Sequence, residues 1–477
     1  MKKLATLLLA AGMVFGAATG ASAIDFKAKG QWVMNFDLGN NGGFSDDGYG
    51  SGFGDDDFNA MQRVRLQLDA VASEALSGTV YFEIGNQNWG KASNGGALGA
   101  DGTVVEVKQA YLDWIVPNTD LKLRMGIQGI TLPGFLGPQI MDSDVAGVSA
   151  SYKFNENVST TFVWARLLND NFTDKGHATK NNANYLDNAD LFALIVPLTF
   201  DGVKVTPWAA YGAIGKNALS TDNWSSSYPN QNYNAAGFMD VTSPYAPKKS
   251  SDLGAYFDMY VLGLTGEITM ADPFRFAWDF VYSGVQTGDE RANRGGWYGG
   301  LLGEYKMDWG TPGLYAWYAS GEDGDRSNGS ERMSQLDGGA SDLSTIMAGN
   351  GHPYIGARGC VLGYTQIGTW GIGARVKDMS FVEGLKHTFR VNCLQGTNDK
   401  DGVRAWGSDS VYNNLSTDEY GVEIGLTNVF KIYENLEMYN DISYISLATD
   451  SDLRKGTKIG SGYADAWNVN VSFVYSF

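Results

Sequence analysis

In Arg63-Val64-Arg65, and again in Lys122-Leu123-Arg124, two cations flank one apolar residue. Successive side chains of an extended chain point to opposite faces, so the two cations of each pair share a face. A row of Arg63, Arg65, Lys122 and Arg124 along a water-filled bore would orient water and bias which ions pass, without holding any of them tightly. That is the electrostatics of a channel. The same four residues also read as ordinary polar positions with no joint arrangement.

Bond-making chemistry has less support. His177, His352 and His387 lie far apart, and neither HExxH nor G-x-S-x-G occurs. A hydrolase would need a constellation formed only in space, so no catalytic residue and no cofactor are expected. Asp55, Asp56 and Asp57, with Asp46 and Asp47 nearby, offer hard oxygens suited to Ca²⁺. EF-hand spacing is absent, they read as a solvated acidic loop, and no metal is expected.

Strands must position the cations, and the clearest is the last. Trp467, Val469, Val471, Phe473, Tyr475 and Phe477 fall on one face, with Asn468, Asn470, Ser472 and Ser476 on the other. Period two marks a strand. The first mature strand repeats it: Phe26, Ala28, Trp32, Met34 and Phe36 alternate with Asp25, Lys27, Lys29, Gln31, Asn35 and Asp37. So does 274–283, where Phe274, Phe276, Trp278, Phe280 and Tyr282 oppose Arg275, Ala277, Asp279 and Ser283. Tight turns at 75–78, 117–120, 155–157, 201–202, 271–273 and 432–435 interleave with long polar loops, the longest near 215–252 and 322–358. About eighteen strands are predicted, with sixteen the alternative, because bacterial barrels hold an even number. The weaker ones include 361–376, 387–394, 419–430 and 436–446. Short turns then face the periplasm and long loops the exterior. Trp32, Trp114, Trp278, Trp297 and Tyr475 sit near strand ends, where membrane interfaces favour amphipathic rings.

The N-terminal MKKLATLLLAAGMVFGAATGASA reads as a signal peptide cleaved after Ala23. Nothing later is apolar for the roughly 20 residues of a spanning helix. The chain carries 35 Lys+Arg against 53 Asp+Glu, net −18, and losing Lys2 and Lys3 takes it to −20. Such acidity argues against a nucleic-acid partner. With 62 Gly, 25 Tyr and 23 Phe but only 11 Pro, the composition is turn-rich and aromatic. One rhythm from Ile24 to Phe477 makes a single all-β domain, an antiparallel transmembrane barrel of 16–18 strands. The two cysteines of an exported chain, Cys360 and Cys393, invite a disulfide. Cys393 shares outward parity with Phe389 and Val391, so a bridge and two separate thiols both stand open.

The closing strand, alternating aromatic and polar residues and ending on Phe477, resembles that of Gram-negative outer-membrane porins, and the whole pattern is most similar to the homotrimeric porins of sulfate-reducing bacteria. The resemblance implies an outer-membrane location, insertion by the barrel-assembly machinery, lipid and lipopolysaccharide around the wall, and a homotrimer passing small polar solutes. It also implies that the third long loop, within Gly129 to Asp144, folds inward as a constriction. Pro133, Phe135 and Gly137 match the family's Pro-Glu-Phe-Gly-Gly, while Gly134 stands where its acid would be. Asp142 and Asp144 are then the nearest acids to face Arg63, Arg65, Lys122 and Arg124.

The expected function is passive diffusion of small hydrophilic solutes and ions through a water-filled pore, with weak cation preference from the net charge. A substrate-selective channel for a sugar or an anion is the alternative; a sugar track would use Tyr81, Tyr111 and Trp208. A soluble β surface protein is a further class. The mature chain is expected to need detergent and to migrate differently after boiling; a monodisperse chain in plain buffer would mean that the outward aromatic faces lie in a dry core.

Overall fold

The computed structural model describes residues 24–39, 57–99, 105–169, 188–216, 218, 239–246, 254–339, 341, 343, 362, 365–409, 411, 413–457, 459 and 462–477. Residues 1–23, Asp46, Asp47, Asp55, Asp56, His177, His352 and Cys360 lie outside them. The strands in chain order are β1 Asp25–Gly39, β2 Asp57–Ser73, β3 Leu76–Asn88, β4 Val105–Ile115, β5 Leu121–Thr131, β6 Asp142–Lys153, β7 Ser159–Asn169, β8 Asn188–Ile195 with Leu198–Phe200, β9 Val203–Gly215, β10 Tyr256–Ile268, β11 Phe274–Gln286, β12 Arg294–Tyr305, β13 Thr311–Ala319, β14 Thr369–Val382, β15 Leu385–Gly396, β16 Tyr420–Tyr433, β17 Leu436–Thr449 and β18 Gly462–Ser476.

The sheet holds nineteen ladder segments. The two pieces of β8 both pair with β9 and are one strand interrupted at Pro197, which leaves eighteen. Proline has no N–H to give a ladder. Each strand is antiparallel to the next, and β18 returns to β1 from Asn468 opposite Gly39 to Ser476 opposite Gln31. The sheet therefore closes into a barrel, so no edge is left open to lipid. The seam is tight at its end, where Gly30 and Phe477 exchange N–H and C=O bonds of 2.9 and 3.0 Å. A side chain at position 30 would meet the Phe477 ring at 2.6 Å, so only glycine fits there.

No helix among the described residues is long and apolar enough to cross a membrane. Large apolar side chains stand outward instead, among them Phe276, Phe280, Leu301, Leu314 and Ile372. Trp32 stacks on Tyr475 and tilts against Phe477, and Trp297 stacks on Tyr318. On β18 the alternate residues Asn468, Asn470 and Ser472 are buried, and Asn470 and Ser472 both donate to Asn35 Oδ1 at 2.6 Å. The expected alternation of the closing strand holds through its length.

Turn chemistry matches the sequence where a side chain dictates it. Asn155 Oδ1 accepts from the N–H groups of Asn157 and Val158, and Asn118 takes the positive φ of 61° that asparagine tolerates. The strand expected at 361–376 is displaced to Thr369–Val382. Its pairing slips between Val376 and Met379 and again before Val382, with Asp378 at φ 54°, so side-chain alternation breaks off where the expected strand was ended.

Long-side loops are pinned by short helices, α1 Lys400–Trp406 and α2 Ser451–Arg454. Arg454 and Glu419 form a fully buried pair at 2.6 Å, and Arg454 also donates to the carbonyls of Ser408 and Asn414. Removing one partner of such a pair strands the other charge, at a cost of about 3–5 kcal/mol. Arg454→Met is expected to loosen the 397–419 loop and open Lys400 and Arg404 to trypsin under conditions where the native barrel resists; an unchanged digest would show that the pair does not hold the loop.

Candidate functional site

The lumen has two unlike halves. Along β11 to β13 the inward residues Ala277, Val281, Tyr298, Leu302, Tyr315 and Trp317 are nearly inaccessible, because loops fill the bore beside them. The filling is one apolar cluster that includes Ile130 at the end of β5, Leu132, Leu136 and Ile140 of the third loop and Met333 and Leu336 of the seventh. Burial of this much apolar surface inside a barrel argues against a wide open pore.

The third loop, residues 132–141 between β5 and β6, reaches across to β11. Phe135 N–H donates to Asp279 Oδ1 at 2.8 Å and Leu136 N–H to Oδ2 at 2.7 Å. Asp279 is 2% exposed, and its carboxylate is a two-pronged latch for the loop tip. The seventh loop straps the third from above. Leu336 N–H donates to Ile140 C=O, Asp142 N–H to Asp337 C=O and Gly339 N–H to Pro138 C=O, at 2.8 to 2.9 Å. Gln335 and Leu336 also form a two-residue ladder with Met239 and Asp240 of the fifth loop. Ser334 joins the wall at Ser283, and Arg294 on β12 joins Asp240. The guanidinium groups of Arg294 and Arg332 lie 5.0 and 4.4 Å from the Trp406 ring centre. Gly134, standing where the family's acid would be, is closed in: a Cβ there would strike Gly137 C=O at 2.2 Å.

The other half of the bore carries the expected basic residues. Arg65 pairs with Glu83 at 2.6 Å, Arg124 with Asp113 at 2.7 Å and Lys122 with the same Asp113 at 3.1 Å. Arg124 also covers the Tyr111 ring at 4.0 Å. Arg63 shares the face of Arg65 by alternation and is half-buried. Register gives Asp142 and Asp144 different neighbours: Lys122 and Arg124 sit opposite Ser151 and Ser149, whereas Asp142 and Asp144 sit opposite Thr131 and Gly129 on the alternate face. Asp144 takes Lys108 and Gln109 as partners, and Asp142 takes Thr131. The acids that meet the basic wall are therefore Glu83 and Asp113. Both were legible from strand parity, since Asp113 alternates with Leu112 and Trp114.

A second charged row crosses β9 to β14 below the loops: Lys204 to Glu267 at 2.8 Å, Glu267 to Arg275 at 2.9 Å, Arg275 to Glu304 at 2.8 Å and Glu304 to Arg375 at 2.7 Å. Sequence reading found only Arg275 of these, because the row is assembled across five strands. The possible aromatic track is not assembled: Tyr111 is capped by Arg124, and Trp208 is 5% exposed in the filled half. Cys393 stands on the outer face opposite Ile372, and its expected partner Cys360 is outside the described residues. Among the acids of the first loop only Asp57 is described, opening β2, and His387 meets Asn428 at 2.6 Å.

No protein-family model and no curated protein matches this chain. Solved structures do. OccAB3 of Acinetobacter baumannii superposes with a TM-score of 0.55 at 11% identity, over 95% of this chain and 100% of the other. OpdL of Pseudomonas aeruginosa gives 0.54 at 12% identity, over 95% and 99%. The outer membrane protein OprD of Pseudomonas aeruginosa gives 0.52 at 11%, over 97% and 96%. The fold is that of an outer-membrane β-barrel. It has eighteen strands, the first of the two counts expected from the sequence.

Cutting the latch tests the loop's role. Asp279→Ala leaves two buried N–H groups without an acceptor, about 1–3 kcal/mol each. Single-channel conductance in a planar bilayer should rise and become noisier; the native conductance would mean that the third loop does not define the waist.

Proposed function

We propose that this chain is a substrate-selective outer-membrane channel that favours small anionic solutes. One observation carries the reading: in the lumen pairs of Arg65, Lys122, Arg124, Lys204 and Arg275 the cation is more exposed than its acid, while Arg375, buried against Glu304, ends the second row without facing water. Side chains of Lys122 and Arg124 are 47% and 32% exposed against 17% for Asp113, and Arg65 is 26% against 13% for Glu83. Lys204 and Arg275 are 53% and 31% exposed against 12% for Glu267. A solute in the bore therefore meets a positive lining although the chain carries net charge −18. Local field, not total charge, governs passage through a narrow bore with low-dielectric walls.

Selectivity, in preference to free diffusion, is supported by the loops that fill one side and leave an eccentric passage along the charged wall. The neutral-sugar alternative loses its support with the aromatic track. Conversion chemistry is not part of the reading; solutes move down their gradients unaltered. The proposal includes export by the signal peptide, insertion by the barrel-assembly machinery, and a homotrimer surrounded by outer-membrane lipid and lipopolysaccharide.

Reversal potential in a salt gradient is the test. Anion preference is expected at about 0.1 M KCl and should weaken near 1 M, where the Debye length shrinks from about 10 to about 3 Å. Arg63→Glu with Arg65→Glu should move the potential toward cations, and a small dicarboxylate should block the native current more than a neutral sugar does. Cation preference in the native protein would overturn the assignment.

A further inference from the structure

In the long loop that follows β13, three carboxylates converge. Glu322, Asp323 and Glu331 each bring an oxygen to within 4.8 Å of the others. Glu322 is 1% exposed, and neither of its oxygens has a hydrogen-bond partner among the described residues. Its backbone is fixed on both sides: its N–H donates to Asn398 Oδ1 at 3.1 Å, and its C=O accepts from Asp399 N–H at 2.6 Å. Gly402 of α1 leaves the space that the side chain occupies; a Cβ there would meet Glu322 Cγ at 2.2 Å. The buried hydroxyl of Tyr245, also without a partner, has Glu322 as its foremost charged neighbour.

Arg332 acts on Glu322 through its charge but forms no ion pair with it. Arg332 donates to the Asn413 carbonyl at 2.6 Å and lies on Trp406, and none of the three acids forms an ion pair with a described residue. A buried carboxylate with no donor is costly, and the usual compensation is a paired charge or a metal.

We propose that Glu322, Asp323 and Glu331 form a binding site for a divalent cation of the Ca²⁺ class. The donor set is oxygen alone, which suits a hard cation and not zinc or copper. A cation here joins residues 322–323 to 331 and closes the turn between them. Residue 331 leads directly into Met333 to Gly339, the segment that straps the third loop. The site is thus a clasp on the loop assembly, remote from the charged lining.

The full-length protein in detergent, stripped with chelator, is titrated with Tb³⁺ by sensitised luminescence and then competed with Ca²⁺. About one equivalent is expected, with a Ca²⁺ dissociation constant of about 10⁻⁴–10⁻³ M, as in extracellular calcium modules. Asp323→Asn and Glu331→Gln should each weaken binding at least tenfold. Asp325→Asn, at an exposed neighbour outside the cluster, should leave it unchanged. Asp323 is itself exposed, so its variant tests the ligand without disturbing a buried position. No saturable binding to the native protein, binding that survives both substitutions, or equal loss with Asp325→Asn would each overturn the site.

Discussion

Every other feature depends on the ladder being closed. Hydrocarbon offers no partner for a backbone N–H or C=O, so an open sheet of this size could not stay in a membrane. Pairing of β18 with β1 removes the last two edges, and the side chains sort themselves around that requirement. Aromatic and aliphatic residues can stand outward because lipid meets them there. Asparagine, serine and charged residues can stand inward because the bore supplies water or a polar neighbour.

Closure also creates a space that must be managed. Eighteen strands enclose more volume than wall side chains fill, and here loops occupy much of it. The third, fifth and seventh loops share one apolar cluster and one set of backbone bonds, so they behave as a single body anchored at Asp279, Ser283 and Arg294. What remains is asymmetric: a dry side of small and aromatic residues, and a wet side of cations backed by acids. The latter arrangement follows from side-chain length. At Arg65, Lys122, Arg124 and Lys204 the longer cation reaches past the carboxylate on the neighbouring strand and is the more exposed partner.

Much of the wall was legible in the sequence, because period two is a local property. Phe274 to Tyr282 and the closing strand needed nothing beyond alternation, and Asn155 or Asn118 announced their turns. Legibility failed where pairing slipped, as at Val376 to Val382, since one extra residue inverts every later assignment of face. It failed again at the waist. Asp279 was readable as inward, but its partners, the backbone amides of Phe135 and Leu136, lie some 140 positions away. Nothing in either stretch names the other. The expected acids Asp142 and Asp144 were sought by nearness in sequence, whereas Glu83 and Asp113 were selected by register across strands.

The junction of Gly30 with Phe477 bears on how the protein can be handled. Both main-chain groups of Phe477 are committed to the first strand, and its ring covers Gly30. An affinity handle or fusion partner added there must leave from a locked, membrane-level position and compete with the seam itself. Insertions in the exterior loops that do not touch the central cluster carry no such conflict.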